Sequence, residues 1–189
     1  VDWPKLDGIL LLNHGVFTFA DDAKTSYERH IAIVTQAEEY LARQVKVFMP
    51  PAIRKPEKLA ALAQLRQAVS IARGEAVVAR LDSREPAVAF SNVPTIGAVA
   101  TRGLLTPDHV LRTRRIPVVL GDDVVADVQR YVSAYDAYFA RNLTTYQRIF
   151  GNKALKKLEP APRWAVWPGQ GTVAFAPSVK EAAIINDIN

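Results

Sequence analysis

The feature that most constrains this chain is that one stretch of it recurs. Residues 10–31 read LLLNHGVFTFADDAKTSYERHI, and residues 166–187 read VWPGQGTVAFAPSVKEAAIIND. Set against each other at a constant offset, Gly15 meets Gly171, Phe19 meets Phe175, Ala20 meets Ala176 and Lys24 meets Lys180. Both copies have the pattern of an apolar strand, a glycine turn, a second strand and a capped helix. The alternative is chance similarity among small residues. The copies differ most where chemistry would sit, because His14 of the first is Gln170 in the second. If the first copy carries chemistry, the second does not.

Around this pair the pattern alternates between strand and helix. Gly8 to Asn13 (GILLLN) is a continuous apolar run suited to a strand buried on both faces. Asp21 and Asp22 are capping candidates for a helix whose stripe is Tyr27, Ile31, Val34, Ala37 and Leu41. Pro56 suits the first turn of a second helix, striped by Leu59, Leu62, Leu65 and Val69 and stopped at Gly74. Ala76 to Leu81 reads as a strand, Ser83 as the cap of a short helix, and Ile116 to Leu120 as another buried strand. Asp122 or Asp123 should cap a long helix reaching about Ile149, and Ser178 the last one. Trp164 to Trp167 and Thr172 to Phe175 are strands around Pro168-Gly169-Gln170-Gly171, each tryptophan packing a seam between subdomains. Alternation of this kind predicts an α/β fold, a layered sheet with flanking helices, with the two tight hairpins pointing to a mixed sheet.

Composition narrows the function classes. Apolar residues make up 49% and charged residues 23% of 189, which excludes a disordered tail or a fibre. There is no cysteine, so no disulfide, thiolate nucleophile or cysteine metal site can form, and a reducing, cytoplasmic setting fits. The longest apolar run is too short for a membrane span. A net charge of +5 can attract nucleic acid, acidic lipid or phosphorylated small molecules. The basic residues are scattered with little aromatic interleaving, which argues against nucleic acid.

Three places could carry chemistry. His14 ends an apolar strand before Gly15, where an imidazole can ligate a metal or simply satisfy a turn carbonyl. Asp108, His109 and Arg112 could gather an anion, with Arg112 giving bidentate contacts to phosphate. The other reading has Thr106 and Asp108 capping a turn while Arg112, Arg114 and Arg115 form a solvated basic edge. The turn Pro168 to Gly171 offers backbone N–H groups as an anion-site candidate, or is simply a tightly packed turn.

The stretch GILLLNHGVFTFADDAKTSYERHIAIVTQAEEYL, residues 8–41, resembles the closing part of the class II aldolase/adducin domain. LTPDHVLRTRRIPVVL (105–120), YVSAYDAYF (131–139) and PGQG (168–171) look like its bifunctional branch, which joins the aldolase to a short-chain dehydrogenase. That branch is associated with rhamnulose 1-phosphate cleavage and lactaldehyde oxidation. The resemblance implies that His14 is one ligand of a divalent metal, zinc in most members; Asn13, Gly15, His109 and Arg112 are the substrate-binding candidates. It also implies retro-aldol cleavage of a ketose 1-phosphate, with the ion polarising the carbonyl. The family's His-x-His pair has no counterpart among His14, His30 and His109, and a three-glycine dinucleotide motif is absent.

The chain opens Val1-Asp2-Trp3-Pro4 without methionine and stops within a helical pattern, so the expectation is a slice of a longer protein. It divides into residues 1–50, the end of an aldolase core, 51–103, a helical connector, and 104–189, a degenerate α/β repeat. The expected partners are a sugar phosphate, the remaining aldolase and dehydrogenase segments, and further copies of the chain. Either the chain belongs to a metal-dependent lyase and is inactive alone, or it is an interaction module that docks aldolase to dehydrogenase.

Overall fold

The computed structural model describes residues 5–12, 14–44, 49–151 and 153–189. They divide into two compact units, one of residues up to 48 with 104–108, the other of 49–103 with 109–189.

In the first unit β1 (Gly8–Leu11) and β2 (Gly15–Thr18) pair antiparallel and are followed by the helix α1 (Ala23–Gln44). Asp22 caps α1: its Oδ1 accepts the Thr25 N–H at 2.9 Å and its Oδ2 the Thr25 hydroxyl at 2.7 Å. These bonds, the backbone one first, hold the Asp22 carboxyl below its ordinary pKa. The Thr18 hydroxyl donates to the Ser26 carbonyl, and Arg29 donates to the Phe19 carbonyl and pairs with Asp7, tying helix to hairpin. The burial expected of the GILLLN run is not found, since Leu10, Leu11 and Leu12 are 66%, 45% and 83% exposed. A lone hairpin under one helix has at most one covered face. For the same reason the α1 stripe of Tyr27, Ile31, Val34 and Leu41 stays open.

The second unit is three layers deep. Its sheet runs in the order β3 (Val78–Asp82), β6 (Gly171–Ala176), β5 (Trp164–Trp167), β4 (Val118–Val119). It is mixed: β3–β6 and β6–β5 are antiparallel, and β5–β4 is parallel. One face carries α2 (Leu59–Arg73) and α6 (Val124–Phe150), where Leu65, Val69, Val124 and Val128 close over Val118, Ala165, Trp167, Val173 and Phe175. The opposite face packs α4 (Ile96–Ala100) and α7 (Val179–Ile188), so that Ile96, Ala182 and Ile185 meet Trp164, Val166, Ala174 and Ala176. Alternate residues of β5 and β6 therefore serve opposite cores, as the pleat requires. The two tryptophans pack the two faces of one sheet and mark no seam between subdomains. Each fully buried valine or leucine here contributes about 1.5–3 kcal/mol.

Local chemistry sets most boundaries. Asp123 Oδ1 accepts the N–H groups of Val125 and Ala126 and starts α6. The Ser178 hydroxyl accepts the Glu181 N–H and starts α7. Gly74 ends α2 in the left-handed region at φ 78°. Tyr131 of α6 donates to the Ile116 carbonyl at 3.1 Å, and burial pushes its pKa up to about 12. Two expected starts move. Pro56 lies ahead of α2, outside its first turn, because its carbonyl is engaged elsewhere. Ser83 does not cap α3 (Glu85–Ser91), whose approach is turned by Asp82 accepting the Arg84 N–H at 3.0 Å.

The sequence echo is an echo of structure. Leu11 pairs Gly15 and Gly8 pairs Thr18 in the first hairpin, and Trp167 pairs Gly171 and Trp164 pairs Ala174 in the second, the same register throughout. The turn bond recurs too: the His14 N–H donates to the Leu11 carbonyl at 3.1 Å, and the Gln170 N–H to that of Trp167 at 2.8 Å. The caps Asp22 and Ser178 occupy matching positions.

Replacing Asp123 by Ala should cost about 1 kcal/mol and lower the thermal midpoint by a few degrees, while Asn should preserve it. A Cβ on Gly171, at φ 118°, would lie 2.0 Å from the Asp82 carbonyl oxygen, whereas one on Gly15 meets nothing within 4 Å. Gly171→Ala should therefore destabilise by on the order of 3 kcal/mol in a denaturant titration, and Gly15→Ala by clearly less.

Candidate functional site

The two matching turns are built alike and surrounded differently. In the first, His14 is exposed and its ring lies nearly parallel to that of Phe17, with centroids 6.0 Å apart and planes 13° apart. Gly15 follows and opens β2, which leaves the imidazole at the hairpin tip. Asn13 lies outside the described residues.

In the second turn Gln170 is only 5% exposed. Its Nε2 donates to the Pro56 carbonyl at 2.9 Å and the Lys55 carbonyl at 3.4 Å. The Lys55 N–H donates in turn to the Gly169 carbonyl at 2.9 Å. Residues 51–56 thus form a strap across the turn, anchored further by Asn92, whose amide donates to the Ile53 carbonyl at 2.9 Å. The Gly169 N–H donates to the Ser91 hydroxyl at 3.1 Å. With the N–H groups of Gly169 and Gln170 both engaged, Pro168 to Gly171 is the tightly packed turn of the second reading and not the candidate anion site.

The remaining candidates separate. His109 Nε2 lies 2.8 Å from the Ile188 carbonyl oxygen and joins α5 (Pro107–Thr113) to α7. Of the expected basic edge, only part is solvated. Arg114 is 15% exposed and pairs with Glu159 at 2.9 Å, and Arg115 lies over the Tyr138 ring at 4.8 Å. Arg112 is exposed and lines a small pocket with Arg73 and Arg163, two residues that sequence reading did not single out. No local motif could have revealed them, because 73, 112 and 163 meet only through the fold. His30 sits half-buried on α1.

A catalytic divalent ion needs about three protein donors. Among the described residues no three His, Asp or Glu side chains gather closely enough to hold one. His14 is sterically available as a donor, but the described residues around it do not complete a ligand set. They do not fit a metal centre of their own, and no chemical step is derived through one. Among the described residues no helix is long and apolar enough to cross a membrane.

Comparison with known proteins agrees with the architecture. Residues 56–189 match the family model described as aldolase class II, second domain. An uncharacterized oxidoreductase, YuxG of Bacillus subtilis (strain 168), is 28% identical over 192 aligned positions, covering 90% of this chain and 26% of that protein. The chain thus spans about a quarter of the length of this relative. No solved structure matches. With a mixed sheet between two helical layers lying inside the matched region, the chain belongs to the class II aldolase second-domain family.

Proposed function

We propose that the chain is part of a metal-dependent class II sugar-phosphate aldolase within a larger polypeptide that also carries a short-chain dehydrogenase. In this reading the first unit closes the aldolase core. His14 is its one contributed metal ligand, and the substrate is a ketose 1-phosphate such as rhamnulose 1-phosphate. The second unit is a non-catalytic copy that docks aldolase to dehydrogenase.

One observation carries the reading: the same hairpin, in the same register, presents an exposed histidine in one copy and a strapped, buried glutamine in the other. A binding group has to be reachable, and a structural one has to be satisfied. Family membership supports lyase ancestry, and the much longer relative named as an oxidoreductase supports a larger, two-activity parent. The open α1 stripe of Tyr27, Ile31, Val34 and Leu41 supports docking of the first unit against further polypeptide.

Coupled assays for dihydroxyacetone phosphate test this. The 189-residue chain alone, with or without zinc, should not cleave rhamnulose 1-phosphate, whereas a protein of the relative's full length should. In the latter His14→Ala should lower kcat by more than about 100-fold, beyond what loss of an outer-shell partner usually costs. Gln170→Ala should lower stability and leave kcat within about twofold. Turnover by the chain alone, or an unaffected His14→Ala enzyme, would refute the proposal.

A further inference from the structure

Three arginines distant in sequence converge on one pocket that lies wholly within the second unit. Arg73 at the end of α2, Arg112 in α5 and Arg163 before β5 line a cavity of about 160 Å³, floored by Phe175, Ala176 and Pro177 and edged by Glu181. Two of the arginines are largely covered: the side chain of Arg73 is 10% exposed and that of Arg163 16%.

Their charges are incompletely matched. Arg73 Nε pairs with Glu75 at 2.6 Å, yet its Nη1 is buried with no hydrogen-bond partner. Arg163 pairs with Glu159, but that carboxylate is shared with Arg114. The Arg112 side chain makes no ion pair or hydrogen bond among the described residues. Burial lowers the Arg163 pKa; Glu159 opposes this, and the charges of Arg73 and Arg114 add to the lowering. Four guanidinium groups here share Glu75, Glu159 and the exposed Glu181, so a cationic excess sits in a partly desolvated concavity. A local excess of positive charge in a partly covered concavity favours an anion that pairs with it.

We propose that this pocket binds the phosphate group of a small phosphorylated ligand. Guanidinium forks match phosphate oxygens in geometry and charge, and a dianion balances several arginines where a monocarboxylate balances one. The volume admits a phosphate and a short carbon stub. Arg73 and Arg163 are held by Glu75 and Glu159 before any ligand arrives, which limits the ordering cost of binding. Arg112, on the open side, completes the clamp. Glu181 at the rim opposes the ligand and sets an upper limit on affinity. The inference does not depend on the aldolase reading, because its test reads binding and not cleavage.

The experiment is calorimetric titration of the 189-residue chain with inorganic phosphate, with glycerol 1-phosphate and with chloride at matched ionic strength. Phosphate and the monoester should bind saturably at one site and chloride should not, the monoester at least as tightly as free phosphate. Arg112→Gln, an exposed change that leaves the buried pairs intact, should weaken both by about tenfold, the loss expected for one charge-assisted hydrogen bond. Glu181→Gln should tighten both severalfold, and Lys180→Gln, outside the lining, should change neither. Arg73→Gln should abolish binding if the variant folds, as judged by circular dichroism. Equal affinity of the Arg112→Gln protein, or heats that follow ionic strength whatever the anion, would overturn the proposal. Phosphate bound well but the monoester excluded would also overturn it, by marking a site for the free ion only.

Discussion

Where β3 crosses the start of β6, the Asp82 carbonyl oxygen occupies the space in which any side chain at position 171 would begin. Only glycine lets the two backbones come this close while the chain turns out of the hairpin at positive φ. That approach lets the β5–β6 hairpin accept a third strand. Once it has, β5 and β6 are covered on both faces and the two cores have something to pack against. The equivalent glycine of the first hairpin faces open space, and that hairpin has gained no third strand among the described residues. One closely approached backbone position therefore accompanies the difference between a half-covered hairpin and the centre of a three-layer domain.

The same contrast decides what each turn can do. A glutamine offers an amide N–H₂ group that can be satisfied by carbonyls, and the strap at Lys55 and Pro56 supplies two. The turn is thereby closed to ligands and made part of the fold. An imidazole at the matching place, left exposed beside Phe17, keeps a ring nitrogen available to an outside partner. Under the proposed function, divergence of a repeated unit into one binding and one structural copy needs little more than this. In the second unit, charge has gathered at the rim of the sheet instead, where Arg73, Arg112 and Arg163 surround the β6–α7 junction.

What could be read from the sequence was local. Asp22, Asp123 and Ser178 were legible as caps, because capping is decided within three residues by an oxygen and free N–H groups. Gly74 was legible as a stop for a similar reason. The hairpins and their echo were legible because period and turn glycine are written in order along the chain. Pro56 misled, since its fit to a first helical turn is a local preference and the Gln170 side chain, far along the chain, holds its carbonyl instead. GILLLN misled because apolarity states that a segment prefers cover, and only the rest of the fold determines whether it receives any. Arg112 was visible as a candidate, but its companions were not, and Arg114 beside it proved to be a largely covered ion-pair partner.

Amide hydrogen exchange, resolved by residue, measures the central contrast between the turns directly. Slow exchange is expected at Gly169 and Gln170, approaching the rate set by global unfolding, because their bonds to Ser91 and Trp167 lie under the strap. Fast exchange by local opening is expected at His14, whose bond to Leu11 sits at an uncovered tip. Comparable protection in the two turns would contradict it, since the copies would then differ in sequence and not in physical role.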